Sequence, residues 1–379
     1  MTIWQGTERR NSRFRLFGLL VMTLGMLVST PLSATGAKET STAASGITVV
    51  DALDRTVTLA HKPQRVLIVG KSSPVLADAF LLFPEAAGSI IELPKTDQGT
   101  GDLYSLLQPE LADGPRTPEI PSVEEVIARA PDLVLMKDFS YSGLGDKLEA
   151  MGLPVFTISL EMPEDWRTEL VEIGKIVEDP RRASQLVELY RNRQDAVSSA
   201  ISVVPEENRP SVLMMRVSST DGLMTYTVAP DIWMQTRFVQ DAGGVPVWLG
   251  AGFANKGFAK ISFEQIAAWD PDYIYIYSYK DPAQDYVSRL KTDKRWADIP
   301  AVKAGHVKAI PGDFSSYAQP VSRWILCLQW MAADLYPNLF PGFDMEQEVR
   351  SFYTDFHGLS DESSLEQIID RYRESVRAN

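Results

Sequence analysis

The chain has one cysteine, Cys327, which excludes an internal disulfide. Its place in the apolar run Trp324-Ile-Leu-Cys-Leu-Gln-Trp330 predicts a buried thiol, and no cysteine stands near the N-terminus to carry a lipid. Histidine is almost as scarce. His61, His306 and His357 stand in unrelated contexts without metal-ligand spacing, so a bare transition-metal ion fits poorly. Positive charge is in deficit: 37 Lys and Arg face 50 Asp and Glu, a formal net charge of −13, which argues against a basic-surface nucleic-acid binder. No apolar run beyond the first thirty residues is long enough to span a membrane. Also missing are a Gly-x-Ser-x-Gly elbow, a His-Glu-x-x-His site and a phosphate loop, and Gly243-Gly244 is an isolated pair, not a dinucleotide fingerprint. These absences argue against an enzyme, and no cofactor is expected.

What is present begins with a leader. Arg9, Arg10, Arg13 and Arg15 precede an apolar run from Leu16 to Val28, followed by small residues around Ala34 and Ala37. Together they read as a secretory signal peptide over residues 1–37, with an uncleaved anchor as the rival. Export to the periplasm as a soluble monomer is the expectation. Loss of four arginines and one glutamate with the leader takes the net charge from −13 to −16.

Two stretches 140 residues apart then repeat one pattern: Ser122-Val-Glu124-Glu125 with Pro131-Asp132, and Ser262-Phe-Glu264-Gln265 with Pro271-Asp272. In each, the serine is a good N-cap and the Glu or Gln three residues later completes a capping box. The proline stops the helix, and an apolar strand follows. Two similarly built α/β lobes are predicted, with a ligand cleft between them. Ile47–Leu59 alternates like a hairpin with its turn at Leu53–Arg55, and Val66–Val69 reads as a buried strand. Between the lobes, apolar residues Ala183, Leu186, Val187, Tyr190, Val197 and Ile201 keep helical spacing. They predict a rigid connecting helix over 179–204, about 35 Å long; packing within one lobe is the alternative. The expected organisation is an N-terminal lobe over 47–178, the helix, a C-terminal lobe over 205–340 and a charged helical surface appendage over 341–379.

With these features on view, the chain resembles bacterial periplasmic binding proteins of ABC importers for iron–siderophore complexes, cobalamin and haem. The resemblance is carried by Ile47-Thr-Val-Val-Asp-Ala-Leu-Asp-Arg-Thr-Val, Pro63-Gln-Arg-Val, the two repeated segments and Trp296-Ala-Asp-Ile-Pro-Ala-Val-Lys-Ala-Gly305-His-Val. Molybdate- and tungstate-binding members are similar at Ala268-Trp269-Asp270-Pro271-Asp272 and Ser322-Arg323-Trp324. The resemblance implies two lobes bridged by one long helix, and docking of one glutamate per lobe onto arginines of the permease. Glu124 and Glu264 occupy the matching positions. Capping supports them: at N2 their side chains are free to face outward, and the helix dipole favours a carboxylate there. The ligand is expected in loops at the other, strand-carboxyl ends or across the cleft.

The rule that ligands meet strand carboxyl ends nominates Lys71 and Ser72, the Lys137–Tyr141 loop and Thr117-Pro-Glu119 in the first lobe. In the second it nominates Arg216, Tyr226, the turn at Trp233, Tyr277-Ser-Tyr279 and Phe314-Ser-Ser-Tyr317-Ala-Gln319. Arg216 ends an otherwise apolar strand; an anionic ligand would be one reason for it and an internal carboxylate another. Arg323 and Lys71 each have a ligand reading and a structural one. Tyr141, Tyr226, Tyr279 and Tyr317 could stack on a ligand or simply pack. The cationic candidates suit an anionic metal chelate or an oxyanion. An iron–siderophore complex leads, with molybdate or tungstate, cobalamin and haem as alternatives.

Overall fold

The computed structural model describes residues 46–95, 101–251, 257–377 and 379; the expected signal peptide lies outside them. No helix among the described residues is long and apolar enough to cross a membrane.

An N-terminal hairpin pairs β1 (Ile47–Val50) with β2 (Thr56–Leu59). Its turn is held by buried Asp51, whose Oδ1 accepts the backbone N–H groups of Leu53 and Arg55, each at 3.0 Å. The first lobe then follows as β3 (Val66–Ile68), α1 (Ser73–Phe80), β4 (Ile90–Pro94), β5 (Arg116–Thr117), α2 (Val123–Ala128), β6 (Leu133–Lys137), β7 (Val155–Ile158) and α3 (Pro163–Ile176). Its sheet runs β5-β4-β3-β6-β7 with every pairing parallel. Parallel strands are covered on both faces, which is why β3 and β6 are wholly buried and apolar throughout, save Lys137 at the end of β6.

Helix α4 (Pro180–Ile201) starts from Asp179, whose side chain accepts the Arg182 N–H. At 22 residues it is about 33 Å long. Tyr190, in its middle, touches both lobes. Its ring lies 5.8 Å from Trp166 on α3 and stacks at 5.2 Å on Trp324, while its hydroxyl donates to the Ser322 carbonyl at 2.7 Å.

The second lobe comprises β8 (Ser211–Thr220), β9 (Leu223–Val228), α5 (Met234–Asp241), β10 (Val245–Pro246), β11 (Ala259–Ile261), α6 (Phe263–Trp269), β12 (Tyr273–Tyr277), β13 (Val307–Ala309) and α7 (Trp324–Leu335). Its mixed sheet runs β11-β9-β8-β12-β13, with β10 beside β8. Cys327 is buried in α7.

The repeated segments fold alike. Residues 121–131 and 261–271 show the same succession of buried, part-buried and exposed positions. Ser122 Oγ accepts from the Glu125 N–H at 3.2 Å, and the Glu125 carboxylate accepts from the Ser122 N–H at 2.7 Å. Ser262 and Gln265 repeat the exchange at 3.3 and 2.8 Å. The recurring aspartates have a role that spacing does not reveal. Asp132 accepts the N–H groups of Gln64 and Arg65 at 2.8 and 2.9 Å, and Asp272 accepts the N–H and hydroxyl of Ser211 at 2.8 and 2.7 Å. Each aspartate therefore clamps the amino end of its lobe's central strand.

The C-terminal residues form α8 (Met345–His357) and α9 (Glu362–Ser375). The charge of this tail predicts a surface appendage, yet α8 buries Val349, Phe352, Tyr353 and Phe356, an apolar stripe at helical spacing. It packs at the back of the lobe junction, with Phe356 edge-on to Tyr190 at 4.7 Å. His357 ends this helix with both ring nitrogens out of water and its ring stacked on Tyr353. Burial pushes its pKa down to about 4, from an ordinary value of 6.5. On acidification the unfolded chain takes the proton first, so stability is full above about pH 6.5 and is lost as pH falls towards 4. Melting temperatures between pH 7.5 and 4.5 should therefore fall more for the wild type than for His357→Phe; parallel curves would show that His357 is not an acid-sensitive group.

Candidate functional site

Both sheets place a topological switch beside their central strand. In the first lobe the chain leaves β3 for β4 and β5, then crosses to β6 and β7 on the other side. The crevice lies between the carboxyl ends of β3 and β6, where Lys71 and Ser72 leave one strand and Asp138 and Phe139 leave the other. In the second lobe the switch lies between β8 and β12, which supply Arg216 and Tyr279. The two crevices face one cavity of about 650 Å³, lined from both lobes. That size suits a drug-sized organic molecule.

Local chemistry shapes the walls. Gly70 and Ser72 both hold left-handed backbone, with φ of 92° and 62°, which turns the chain sharply after β3. For serine this conformation is strained; its hydroxyl makes no capping bond to α1 and lines the cavity. Beyond β7, Glu169 accepts the N–H groups of Ser159 and Leu160 at 2.8 and 2.9 Å and so fixes the loop carrying Glu161. Lys137, although at a strand end, is fully buried and committed within its lobe, to Glu161 at 2.7 Å and to the Ser159 carbonyl.

Arg216 is the cation of the opposite wall. Its guanidinium lies 3.9 Å over the Phe258 ring and 5.6 Å from that of Tyr279. Trp233 meets Phe258 edge-on at 5.0 Å and extends the aromatic surface. The protein partner of Arg216 is Thr227, whose hydroxyl accepts from Nε at 3.3 Å; no carboxylate pairs with it among the described residues. Gln235 donates to the Ala318 carbonyl at 2.8 Å and fixes the neighbouring turn. Burial pushes the Tyr279 phenol up, with Arg216 opposing, so it remains a protonated donor.

Arg323 also lines the cavity, but its guanidinium is engaged on every side. Nη1 donates to Asp78 Oδ1 at 2.7 Å, Nη2 to Ser315 Oγ at 2.9 Å, and Nε lies 3.3 Å from Asp313 Oδ2. The Ser322 N–H bonds the other Asp78 oxygen, and Tyr353 donates to Asp313 at 2.6 Å. Burial opposes the charge on Arg323, but Asp313 and Asp78 outweigh it and raise the pKa well above the ordinary arginine value. Asp78 belongs to α1, so this pair crosses from lobe to lobe.

Of the single residues named from sequence, the cavity thus gathers Lys71, Ser72, Arg216, Trp233, Tyr279 and Arg323, and from the nominated loops it adds Glu119, Asp138, Phe139, Phe314, Ser315 and Gln319. Three tyrosines lie outside it. Tyr141 donates to Glu149 at 2.6 Å and lies under Arg55, facing the hairpin. Tyr226 packs on Trp296 at 5.5 Å and borders a separate groove with Arg289 and Arg295. Tyr317 is fully buried, below the surface of the cavity wall. Sequence reasoning missed Lys95, Tyr104, Glu161, Gln235 and Phe258. A rule keyed to strand ends would have reached Glu161, which follows β7; Phe258 precedes a strand and gave no such signal.

Glu124 and Glu264 are exposed at the N-termini of α2 and α6. Hydrogen bonding from its own N–H and from Ser262 lowers the Glu264 pKa. Their position corrects one expectation. A helix that runs back alongside the strand it precedes must begin at that strand's carboxyl end, so the glutamates share an end of each lobe with the ligand loops. Glu119 and Phe258, both lining the cavity, stand five and six residues before them.

Comparison with known proteins agrees with this geometry. The model of a family described as "Periplasmic binding protein" matches residues 82–314. The molybdate-binding protein MolA of Haemophilus influenzae is 24% identical over 328 residues, covering 82% of this chain and 91% of its own. Its structure bound to molybdate superposes with a TM-score of 0.67 at 22% identity, over 83% of this chain and 99% of that one. An ABC transporter solute-binding protein from Sulfurospirillum deleyianum gives a TM-score of 0.69 at 19% identity, over 86% and 99% of the two chains.

Proposed function

Because the chain belongs to the periplasmic binding protein family, a family of binding proteins and not of enzymes, we propose that it captures an anionic metal chelate of the iron–siderophore kind and delivers it to an ABC permease. It is a solute-binding protein of an ABC transporter; the cargo and the docking residues are our reading. The observation that carries the cargo is Arg216, a guanidinium without a carboxylate partner among the described residues, stacked on Phe258 and facing a cavity of about 650 Å³. Guanidinium groups take carboxylate, catecholate or oxyanion acceptors two at a time. Aromatic walls suit the organic shell of a chelate, and a bare oxyanion would fill a small part of that volume. Molybdate is the second reading, favoured by the similarity to MolA.

A thermal-shift panel of ferric siderophores, cobalamin, haem, molybdate and tungstate separates them. A ligand at 100 times its Kd adds about 2.7 kcal/mol of stability. Stabilisation by at least one ferric siderophore is expected; a shift with molybdate or tungstate alone would replace the chelate reading by the oxyanion one.

Delivery is assigned to Glu124 and Glu264, exposed carboxylates at matching places on the two lobes. Glu124→Ala with Glu264→Ala should leave ligand affinity unchanged and reduce uptake at least tenfold, the scale on which close interfacial charge pairs act. Normal uptake in cells carrying the double variant would sink the docking assignment. Export by the leader over residues 1–37 completes the proposal and places the protein in the periplasm.

A further inference from the structure

Ile120 and Leu223 are the two most exposed large apolar side chains among the described residues, with 79% and 76% of their surfaces open. They stand one on each lobe. Ile120 lies four residues before Glu124, separated from the cap of α2 by buried Pro121. Leu223 opens β9. The register of β9 against β11 sets Tyr226 opposite Ile261, so Leu223 lies at the end of the sheet where α6 begins, and it lines a groove with Arg295, whose charge acts on Glu264. Each lobe thus presents, at one end, a carboxylate on a helix N-terminus and an exposed aliphatic side chain.

A lone exposed Ile or Leu needs no explanation. Its presence at the glutamate end of both lobes does, at places that the repeat does not equate, since Lys260 and not Leu223 matches Ile120. Resting on the docking reading of Glu124 and Glu264, we propose that Ile120 and Leu223 are paired apolar anchors for the permease. Each seats in an apolar depression next to the basic group that meets the neighbouring glutamate. A partner offering the same basic-plus-apolar site twice is what an isologous dimer supplies. The two kinds of contact divide the work. Exposed charges act at range, steer association and are screened by salt. Buried apolar contacts are insensitive to that screening and act on dissociation.

The test titrates full-length mature protein against the ABC permease in lipid nanodiscs, at low and high salt. Ile120→Ser with Leu223→Ser is expected to speed dissociation about tenfold at both salt concentrations, with ligand affinity and melting temperature unchanged. Glu124→Ala with Glu264→Ala is expected to slow association and flatten the salt dependence. Wild-type dissociation from the serine pair would overturn the anchors, while the docking reading stands if the alanine pair still weakens binding. Unchanged binding in both pairs would remove both readings. A wild-type dimer in sedimentation that the serine pair abolishes would assign these residues to self-association and also overturn the proposal.

Discussion

Arg323→Ala should destabilise the protein by about 3–5 kcal/mol, the cost of removing one partner from a buried charge pair. The reason is what it leaves behind. Asp78 and Asp313 are 0% and 5% exposed, and Arg323 bonds or pairs with both. Without the guanidinium, two carboxylates stay out of water without their counter-charge, and of this link between α1 and the second lobe only the Ser322 N–H bond to Asp78 is left. Arg323→Lys keeps the charge but not the fork that reaches Asp78, Asp313 and Ser315 together, so it should fall between. Urea unfolding measures both variants. A loss below about 1 kcal/mol for Arg323→Ala, the range of exposed ion pairs, would show that the cluster contributes little. On this view Arg323 borders the cavity as part of the frame, while ligand recognition falls to Arg216.

For Arg216→Ala the expected loss is in affinity: about 10- to 100-fold for an anionic chelate, since a hydrogen bond to a charged group contributes about 1.5–3 kcal/mol and each 1.4 kcal/mol is tenfold. Stability should change little, because the guanidinium is hydrogen-bonded within the protein only at 3.3 Å to Thr227 among the described residues. Arg216→Lys keeps the charge and loses the flat stack on Phe258, so partial recovery is expected. Isothermal titration with the best ligand of the panel gives the numbers. Equal affinity in wild type and Arg216→Ala would move this arginine to a structural role and withdraw the main support for an anionic cargo.

The contrast between these arginines also marks what was legible in the sequence. Periodicity, capping boxes and helix-stopping prolines carried the two lobes and the long helix, because each is written in neighbours a few residues apart. Strand ends carried five of the nine cavity candidates for the same reason, and a helix start carried a sixth, Arg323. Arg216 and Arg323 looked alike as cations near strand or helix ends. What separates them is Asp78, 245 positions from Arg323, and no local pattern pairs residues at that distance. The tyrosines failed differently. A phenol fits a core, a groove or a ligand equally well, and only tertiary packing sent Tyr141, Tyr226 and Tyr317 elsewhere. The tail misled through composition: its charges outnumber the stripe of Val349, Phe352, Tyr353 and Phe356 that seats α8 against the lobe junction.

The aspartate clamps have a mechanical consequence. Asp132 binds the start of β3, whose far end delivers Lys71, and Asp272 binds the start of β8, which carries Arg216. Glutamate, helix, clamp and central strand are therefore one connected piece in each lobe, and on the proposed docking the handle is at Glu124 or Glu264 and the jaw at the cavity. A pull on the two handles would part the jaws as whole bodies and leave each half of the site undistorted. Emptying such a vise takes torque about the helix that joins its arms, and little local unfolding.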